Sequence, residues 1–372
     1  MRGSLKLFTW LGIPVYLHWS FGLIFLYALW VGYSDGLDAQ NTIWLMIAYV
    51  ALFGCVLLHE YGHALTARRY GVRTQDIVIT FIGGIARLER MPEKPKQEFL
   101  VAIAGPLVNV VLAVLFFFLG YLIFQGDAWL LRWIGENGEG ASEGMAESGL
   151  LAYLLPRLVV VNIALVIFNM IPAFPMDGGR ILRSLLAMRI GRVRATKIAS
   201  WLGQGIAVLF VGFGLWNDAF SLALIGIFVF TTARAENNMV QLDDLVRRFK
   251  ARDLMRPQFT RLSISDWMQT PIGLLQQGLE RHFLVFDLQD RLVGVLEEPQ
   301  IVGAMKRRDL SAEIERYARP DVGVVGPEDT LDYVLQLLQQ RSMGLIAVSD
   351  QGQVLGVIDQ AGIQNFLRLN GR

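Results

Sequence analysis

The sequence predicts a polytopic α-helical membrane protein, with about six transmembrane helices and a small membrane-associated β-hairpin or sheet, followed by a soluble α/β tail. Three observations carry that expectation. Of the 372 residues, 53% are hydrophobic and only 18% are charged, whereas soluble domains carry roughly a quarter charged residues. The charges are also unevenly placed: residues 1–235 contain long uncharged stretches, and residues 236–372 have an ordinary soluble composition. Finally, apolar runs near the ~20 residues needed to cross about 30 Å of hydrocarbon recur through the first part. The formal net charge of +1 supplies no basic field that would recruit nucleic acid. Cys55 is the only cysteine, which excludes an internal disulfide framework and a thiolate zinc cluster.

Taken in order, the spans fall near Tyr16–Tyr33, Thr42–Ala67, Phe99–Phe124, Leu150–Ile171, Ile198–Trp216 and Phe220–Ala233. The last two are short and joined by Asn217-Asp218, as in a tight helical pair. No small-residue cleavage site comes after the first run, so it is expected to stay as an anchor. The connecting segments alternate in charge. Arg68, Arg69, Arg73, Arg87 and Arg90 come after the second span, and Arg180, Arg183, Arg189, Arg192 and Arg194 after the fourth. The opposite loops carry Asp35 and Asp38, then Asp127, Glu136, Glu139, Glu143 and Glu147, then Asp218. By the positive-inside rule both termini and the tail are cytoplasmic, with the chain multi-pass in a cell's inner membrane. Asp76–Leu88 is rich in β-branched residues and interrupted by Gly83-Gly84, the pattern of a hairpin whose edge could receive an extended peptide or simply line the membrane surface.

The second span contains His59-Glu60-Tyr61-Gly62-His63. Ionisable groups in hydrocarbon are costly and functional by default. At i and i+4 the histidines share one helix face, so two imidazoles and a neighbouring carboxylate form a metal-binding and water-activating pattern. Two hydrogen-bonded core histidines are the plainer alternative. Zinc needs a third protein ligand. The candidate is Asp177 in Asn169-Met-Ile-Pro-Ala-Phe-Pro-Met-Asp177-Gly-Gly-Arg, where prolines and glycines break the fourth helix; a helix N-cap is its other reading. Asn169, and Asn109 in Gly105-Pro-Leu-Val-Asn109, are either helix–helix hydrogen-bond partners or donors to a substrate carbonyl. His18 fits an interfacial hydrogen bond beside Trp19, with a metal or gating role as its other reading.

These motifs in this order resemble the site-2 protease family of intramembrane zinc metalloproteases, over roughly residues 10–235. The resemblance implies one zinc ion per chain, held by His59, His63 and Asp177, with Glu60 as the base and Asn169 assisting substrate positioning. It also implies that the Gly83-Gly84 hairpin presents substrate, and that the substrates are membrane-anchored proteins cut within the lipid bilayer in regulated proteolysis. A membrane regulatory protein without catalysis, or a transporter, would fit the same spans; no inverted repeat supports the latter.

In the tail, Phe283–Leu296 and Leu345–Ile358 are two strand–turn–strand units about 65 residues apart. They resemble a tandem cystathionine-β-synthase (CBS) pair, which implies a possible adenine nucleotide ligand and a possible homodimer. Where nucleotide-binding versions carry Ser or Thr and then Asp, this chain has Glu297 and Gln300, and Asp359 and Gly362. Acidic groups there repel phosphate, so a dimerisation or substrate-docking role stays open. The expected organisation is a membrane-embedded protease domain at 1–240, a linker at 241–251, and modules at 252–305 and 316–372.

Overall fold

Ahead of the first apolar helix the chain forms two paired strands, β1 (Ser4–Trp10) and β2 (Ile13–His18). Tyr16–His18, expected to begin the first span, therefore lie in a strand. The buried Val15 pairs with Ile77 and Tyr16 with Val78, so sheet burial wins over continuation of the apolar helix. The first apolar helix is correspondingly shorter, a 3₁₀ turn (Trp19–Phe21) leading into α1 (Gly22–Ser34). The computed structural model describes residues 3–81, 83–125, 129–130, 134, 149–278, 280–341 and 343–370. The acidic positions Asp127, Glu136, Glu139, Glu143 and Glu147 lie outside the described residues.

Two units divide between Asn237 and Asn238. In the first, α2 (Ala39–Arg69) begins where the Asp38 carboxylate accepts the Asn41 N–H at 2.7 Å, and it ends on the cations Arg68 and Arg69. The hairpin β3 (Thr74–Thr80) and β4 (Gly83–Leu88) comes next, and then α3 (Pro95–Ile123), α4 (Leu150–Asn169), α5 (Asp177–Ile190), α6 (Arg192–Trp216) and α7 (Phe220–Arg248). Among the described residues four helices, α2, α3, α4 and α6, are long and apolar enough to cross a membrane. Leu107, Val111, Val114, Phe118 and Leu122 of α3 are exposed, a surface suited to hydrocarbon. Gly62 lets α2 and α3 approach closely, since a Cβ there would lie 2.8 Å from the Ala104 carbonyl oxygen.

The sheet order is β1-β2-β3-β4, antiparallel except for the parallel β2/β3 pair, which leaves β4 as an edge. Its core is shared with α2: Ile13, Val15, Ile77 and Ile79 pack with Phe53, Tyr61 and Ala64.

The second unit contains two sheets of the same design. One is β5 (Arg261–Ser263), β6 (Phe283–Phe286) and β7 (Leu292–Leu296); the other is β8 (Gly323–Val325), β9 (Leu345–Asp350) and β10 (Gln353–Asp359). In each, the first pair is parallel and the second antiparallel. Leu284, Phe286 and Val295 pack against Leu345, Ala347 and Val357, so the two repeats share one core.

Candidate metal centre

One turn of α2 presents His59 and His63 on the same buried face, and α5 opens with Asp177 as its first helical residue. The Asp177 side chain does not cap its own helix. Its Oδ2 instead lies 3.2 Å from each histidine Nε2, and the two Nε2 atoms are 3.0 Å apart. Among the described residues this is the one cluster of three or more His, Cys, Asp or Glu groups able to share a metal ion.

The outer ring nitrogens decide what the inner ones offer. His63 Nδ1–H donates to the Val101 carbonyl at 2.7 Å, and that oxygen can only accept. His59 Nδ1–H donates to Asn109 Oδ1. With both Nδ1 atoms protonated, two imidazole lone pairs and a carboxylate oxygen converge with no proton among them. Three acceptors at that separation repel one another unless a cation lies between them. Zinc bonds of about 2.0–2.1 Å in a tetrahedral site separate the ligand atoms by about 3.3–3.4 Å, close to what is found here. Gly105 backs the cluster: a Cβ there would lie 2.3 Å from His63 Nε2 and 2.7 Å from His59 Nε2. The donor set and this open corner fit zinc.

Local sequence explains the placement of Asp177. Helix α4 stops at Asn169, and the chain folds back over Met170–Met176 before α5 begins. A Cβ on Gly178 would sit 2.3 Å from the Ile171 carbonyl oxygen, and one on Gly179 would sit 2.6 Å from the Ala173 carbonyl carbon, so the reversal requires both glycines. Arg183 then locks α5 from the inside. It is fully buried, its Nε donates to Glu98 Oε1 of α3 at 2.7 Å, and it also pairs with Glu236 of α7. By sequence Arg183 is one more cytoplasmic charge; in the fold it is an internal tie.

Glu60 points away from the histidine cluster's outer partners and toward the sheet. Its Oε2 accepts the Ala86 N–H of β4 at 2.9 Å. Gly84 makes room for it, because a Cβ there would be 2.9 Å from Glu60 Cγ. Gly83 begins β4 opposite Thr80 with a φ of 151°, and nothing crowds it. The edge that carries the free side of β4 is therefore the edge in contact with Glu60.

The asparagines separate. Asn109 is fully buried and bonds both His59 and Asn162, its Nδ2 donating to Asn162 Oδ1 at 2.7 Å. Asn169, at the end of α4, is half-buried and makes no side-chain hydrogen bond among the described residues. Asn162 escapes the motif reading, although a polar residue inside Val-Val-Val-Asn-Ile is a signal in an apolar span. The Cys55 sulfur accepts from Asn162 Nδ2 at 3.3 Å. His18 lies outside the cluster, bonded to Ser20 Oγ at 2.8 Å, with its ring 5.5 Å from Trp19.

In the second unit the two unusual acidic positions are engaged by the protein itself. Glu297 is buried and accepts from the Gly344 N–H at 2.6 Å and from Arg319 Nη1 at 3.1 Å. Asp359 accepts from the Gly362 N–H at 2.6 Å. A cavity of about 640 Å³ in this unit is lined by Arg256, Glu280, Arg281, His282, Glu298 and Asp359, among others. Its guanidinium groups already pair with carboxylates, Arg256 with Glu280 at 2.9 Å and Arg281 with Glu298 at 3.5 Å.

Residues 47–213 match Peptidase family M50, and residues 313–368 match the CBS domain. Zinc metalloprotease MJ0392 of Methanocaldococcus jannaschii is 30% identical over 98% of this chain and 96% of that protein. The protein sll0528 of Synechocystis sp. is 29% identical over 99% of this chain and 96% of its own length. A solved structure of the site-2 protease from Methanocaldococcus jannaschii is 30% identical and covers 63% of this chain and 95% of that one, with a TM-score of 0.43.

Proposed function

Because this chain belongs to peptidase family M50 and is a multi-pass membrane zinc metalloprotease with a CBS tail, we propose that it cuts membrane-anchored proteins within or beside a transmembrane segment. The observation that carries the reading is the convergence of His59, His63 and Asp177 beside a carboxylate that touches an unpaired strand edge. His59, His63 and Asp177 are the residues that would hold zinc. A zinc ion there would supply Lewis-acid polarisation of the scissile carbonyl and would lower the pKa of an attacking water toward neutrality.

The chain's own groups do the rest. Glu60 takes the proton of the attacking water and hands it to the leaving amine. A helical substrate hides its carbonyls in its own hydrogen bonds and must unwind before any of them is reached. The outer edge of β4 then receives the unwound stretch as an added strand. There Ala86 N–H exchanges Glu60 for a substrate carbonyl, and Gly83 and Gly84 keep the approach free of side chains. Asn169, uncommitted in the structure, donates to the substrate backbone or to the developing oxyanion.

By the charge alternation of the loops, the termini and tail are cytoplasmic and the host membrane is a cell's inner membrane. Residues 1–240 act as the catalytic domain, joined by residues 241–251 to modules at 252–305 and 316–372. The tail modulates regulated proteolysis, either through an adenine nucleoside or nucleotide or by bringing two copies together.

Co-expression with a panel of single-span membrane proteins tests the reading. Wild type should release a fragment from at least one of them. Glu60→Gln should keep zinc and lose cleavage, while Asp177→Ala should lose both. Substantial cleavage by Glu60→Gln removes the carboxylate from the mechanism, and unchanged zinc content in Asp177→Ala removes that residue from the ligand set.

A further inference from the structure

We propose that Asn162 is a positioning residue of the metal centre, acting on His59 through Asn109. The inference rests on the reading of His59 as a zinc ligand and adds the group that fixes its ring.

The chain of bonds begins at an atom with one possible role. The Leu158 carbonyl oxygen can only accept, and Asn162 Nδ2 lies 2.8 Å from it, with Cys55 Sγ at 3.3 Å as a second acceptor. The amide of Asn162 is thereby oriented, with its Oδ1 toward α3. Asn109 Nδ2 donates to that oxygen at 2.7 Å, which turns Asn109 Oδ1 toward His59. An oxygen facing Nδ1 demands the Nδ1–H tautomer, and this leaves the Nε2 lone pair facing Asp177 and His63. Without Asn162 the amide of Asn109 is free to rotate and offer its NH₂ instead. That arrangement favours the other tautomer, whose Nε2 carries a proton and cannot ligate.

The two histidines differ in this respect. His63 is oriented by a backbone carbonyl, which no substitution removes. His59 depends on two side chains from two different helices, α3 and α4. Both asparagines are fully buried, so neither is available to a substrate or to solvent.

The test is zinc affinity of the purified full chain in detergent, by competition with a chromophoric chelator. The cobalt(II) absorption spectrum serves as a second probe of the ligand field. Asn162→Leu keeps the branched volume and removes the amide; zinc should bind 10- to 100-fold more weakly, as expected for loss of a partner behind a ligand. Asn109→Asp has an acceptor whichever way it turns, so the double variant N109D/N162L should recover most of the affinity. A wild-type affinity in Asn162→Leu overturns the proposal, and so does weakened binding that Asn109→Asp fails to restore, since lost packing alone would behave that way. Should Asn162→Leu fail to yield folded protein, Asn162→Ser, which can still donate to Leu158 but not reach Asn109, is read by the same two outcomes. His59→Ala separates the layers. If that variant binds zinc as wild type does, the ligand reading falls; if it loses zinc while Asn162→Leu does not, only the relay falls.

Discussion

Gly105→Ala gives the most direct physical test of the metal centre. Glycine in the middle of a helix is about 1 kcal/mol less favourable than alanine, so at an indifferent site the change would stabilise α3. Here the new methyl would lie 2.3 Å from His63 Nε2 and 2.7 Å from His59 Nε2. Ordinary carbon–nitrogen contact needs about 3.4 Å or more, so the rings must retreat by roughly an ångström. Ring ends can swing aside at modest cost to the empty fold, whereas metal bonds tolerate displacements of only about 0.2 Å. The expected result is a folded protein whose zinc affinity falls by at least about 100-fold, equivalent to about 2.8 kcal/mol at 1.4 kcal/mol per decade. Metal analysis after equilibrium dialysis at a series of free zinc concentrations measures it. Thermal unfolding of the zinc-free protein reports the fold separately, and there the variant should match or come near wild type. Stoichiometric zinc at wild-type affinity in Gly105→Ala would mean that the corner between the two Nε2 atoms is not where the ion sits.

Three other outcomes are expected. Ala86→Pro removes the one β4 donor that touches Glu60, on an edge where proline is otherwise tolerated; losing the bond that this N–H would make to a substrate carbonyl, about 0.5–1.5 kcal/mol, should lower cleavage by roughly two- to tenfold without loss of zinc. Unchanged turnover would remove the β4 edge from substrate handling. Titration of the full chain with adenosine, AMP and ATP should show binding, if any, to weaken as phosphates are added, because the cavity's guanidinium groups are already paired; tighter binding of ATP than of adenosine contradicts that. His282 is held below the usual imidazole range chiefly by burial, against the pull of Glu297, Asp359 and Glu298. Its neutral form is the folded form, so its contribution is intact above the unfolded pKa of about 6.5 and is lost as pH falls through the lower folded value. Protection factors across residues 282–286, corrected for intrinsic exchange, should fall as pH drops below about 6.5, and His282→Gln should flatten that dependence.

Much of the site was legible because its chemistry is local. His59, Glu60 and His63 occupy a single turn, and charges in an apolar helix declare themselves. Asp177 lies 114 residues from His63, yet the prolines and glycines around it announce a chain reversal that only a special geometry requires. What spacing alone could not reveal is contact between helices. Gly105 reads as one small residue among many until the histidine rings are seen to fill the space a methyl would need. Asn162 and Asn109 each look like isolated polar groups, and their order in a chain of hydrogen bonds depends on how α3 and α4 face each other. The first strands were hidden for a different reason. Ile13–His18 is as apolar as the helix after it, and only its pairing with Ile77–Ile79 settles the strand conformation. Among the described residues four helices have clear crossing length and composition; the first expected span is shortened by the strand at its start, and the sixth lies within the longer and more polar α7.

The link between β1–β2 and α2 has a mechanical meaning. Tyr61 Oη donates to the carbonyls of Trp10 and Ile13 at 3.2 and 3.4 Å, and Arg68 Nη2 donates to the Leu11 carbonyl at 2.6 Å. Sheet and helix are thus riveted at their far end by three donor–acceptor contacts and at their near end by Glu60 and Ala86. The far-end ties through Tyr61 and Arg68 do not involve Glu60, so they hold the strand pair and the histidine-bearing helix in one register even when the Ala86 N–H changes its acceptor, like a jaw and its anvil machined from one block.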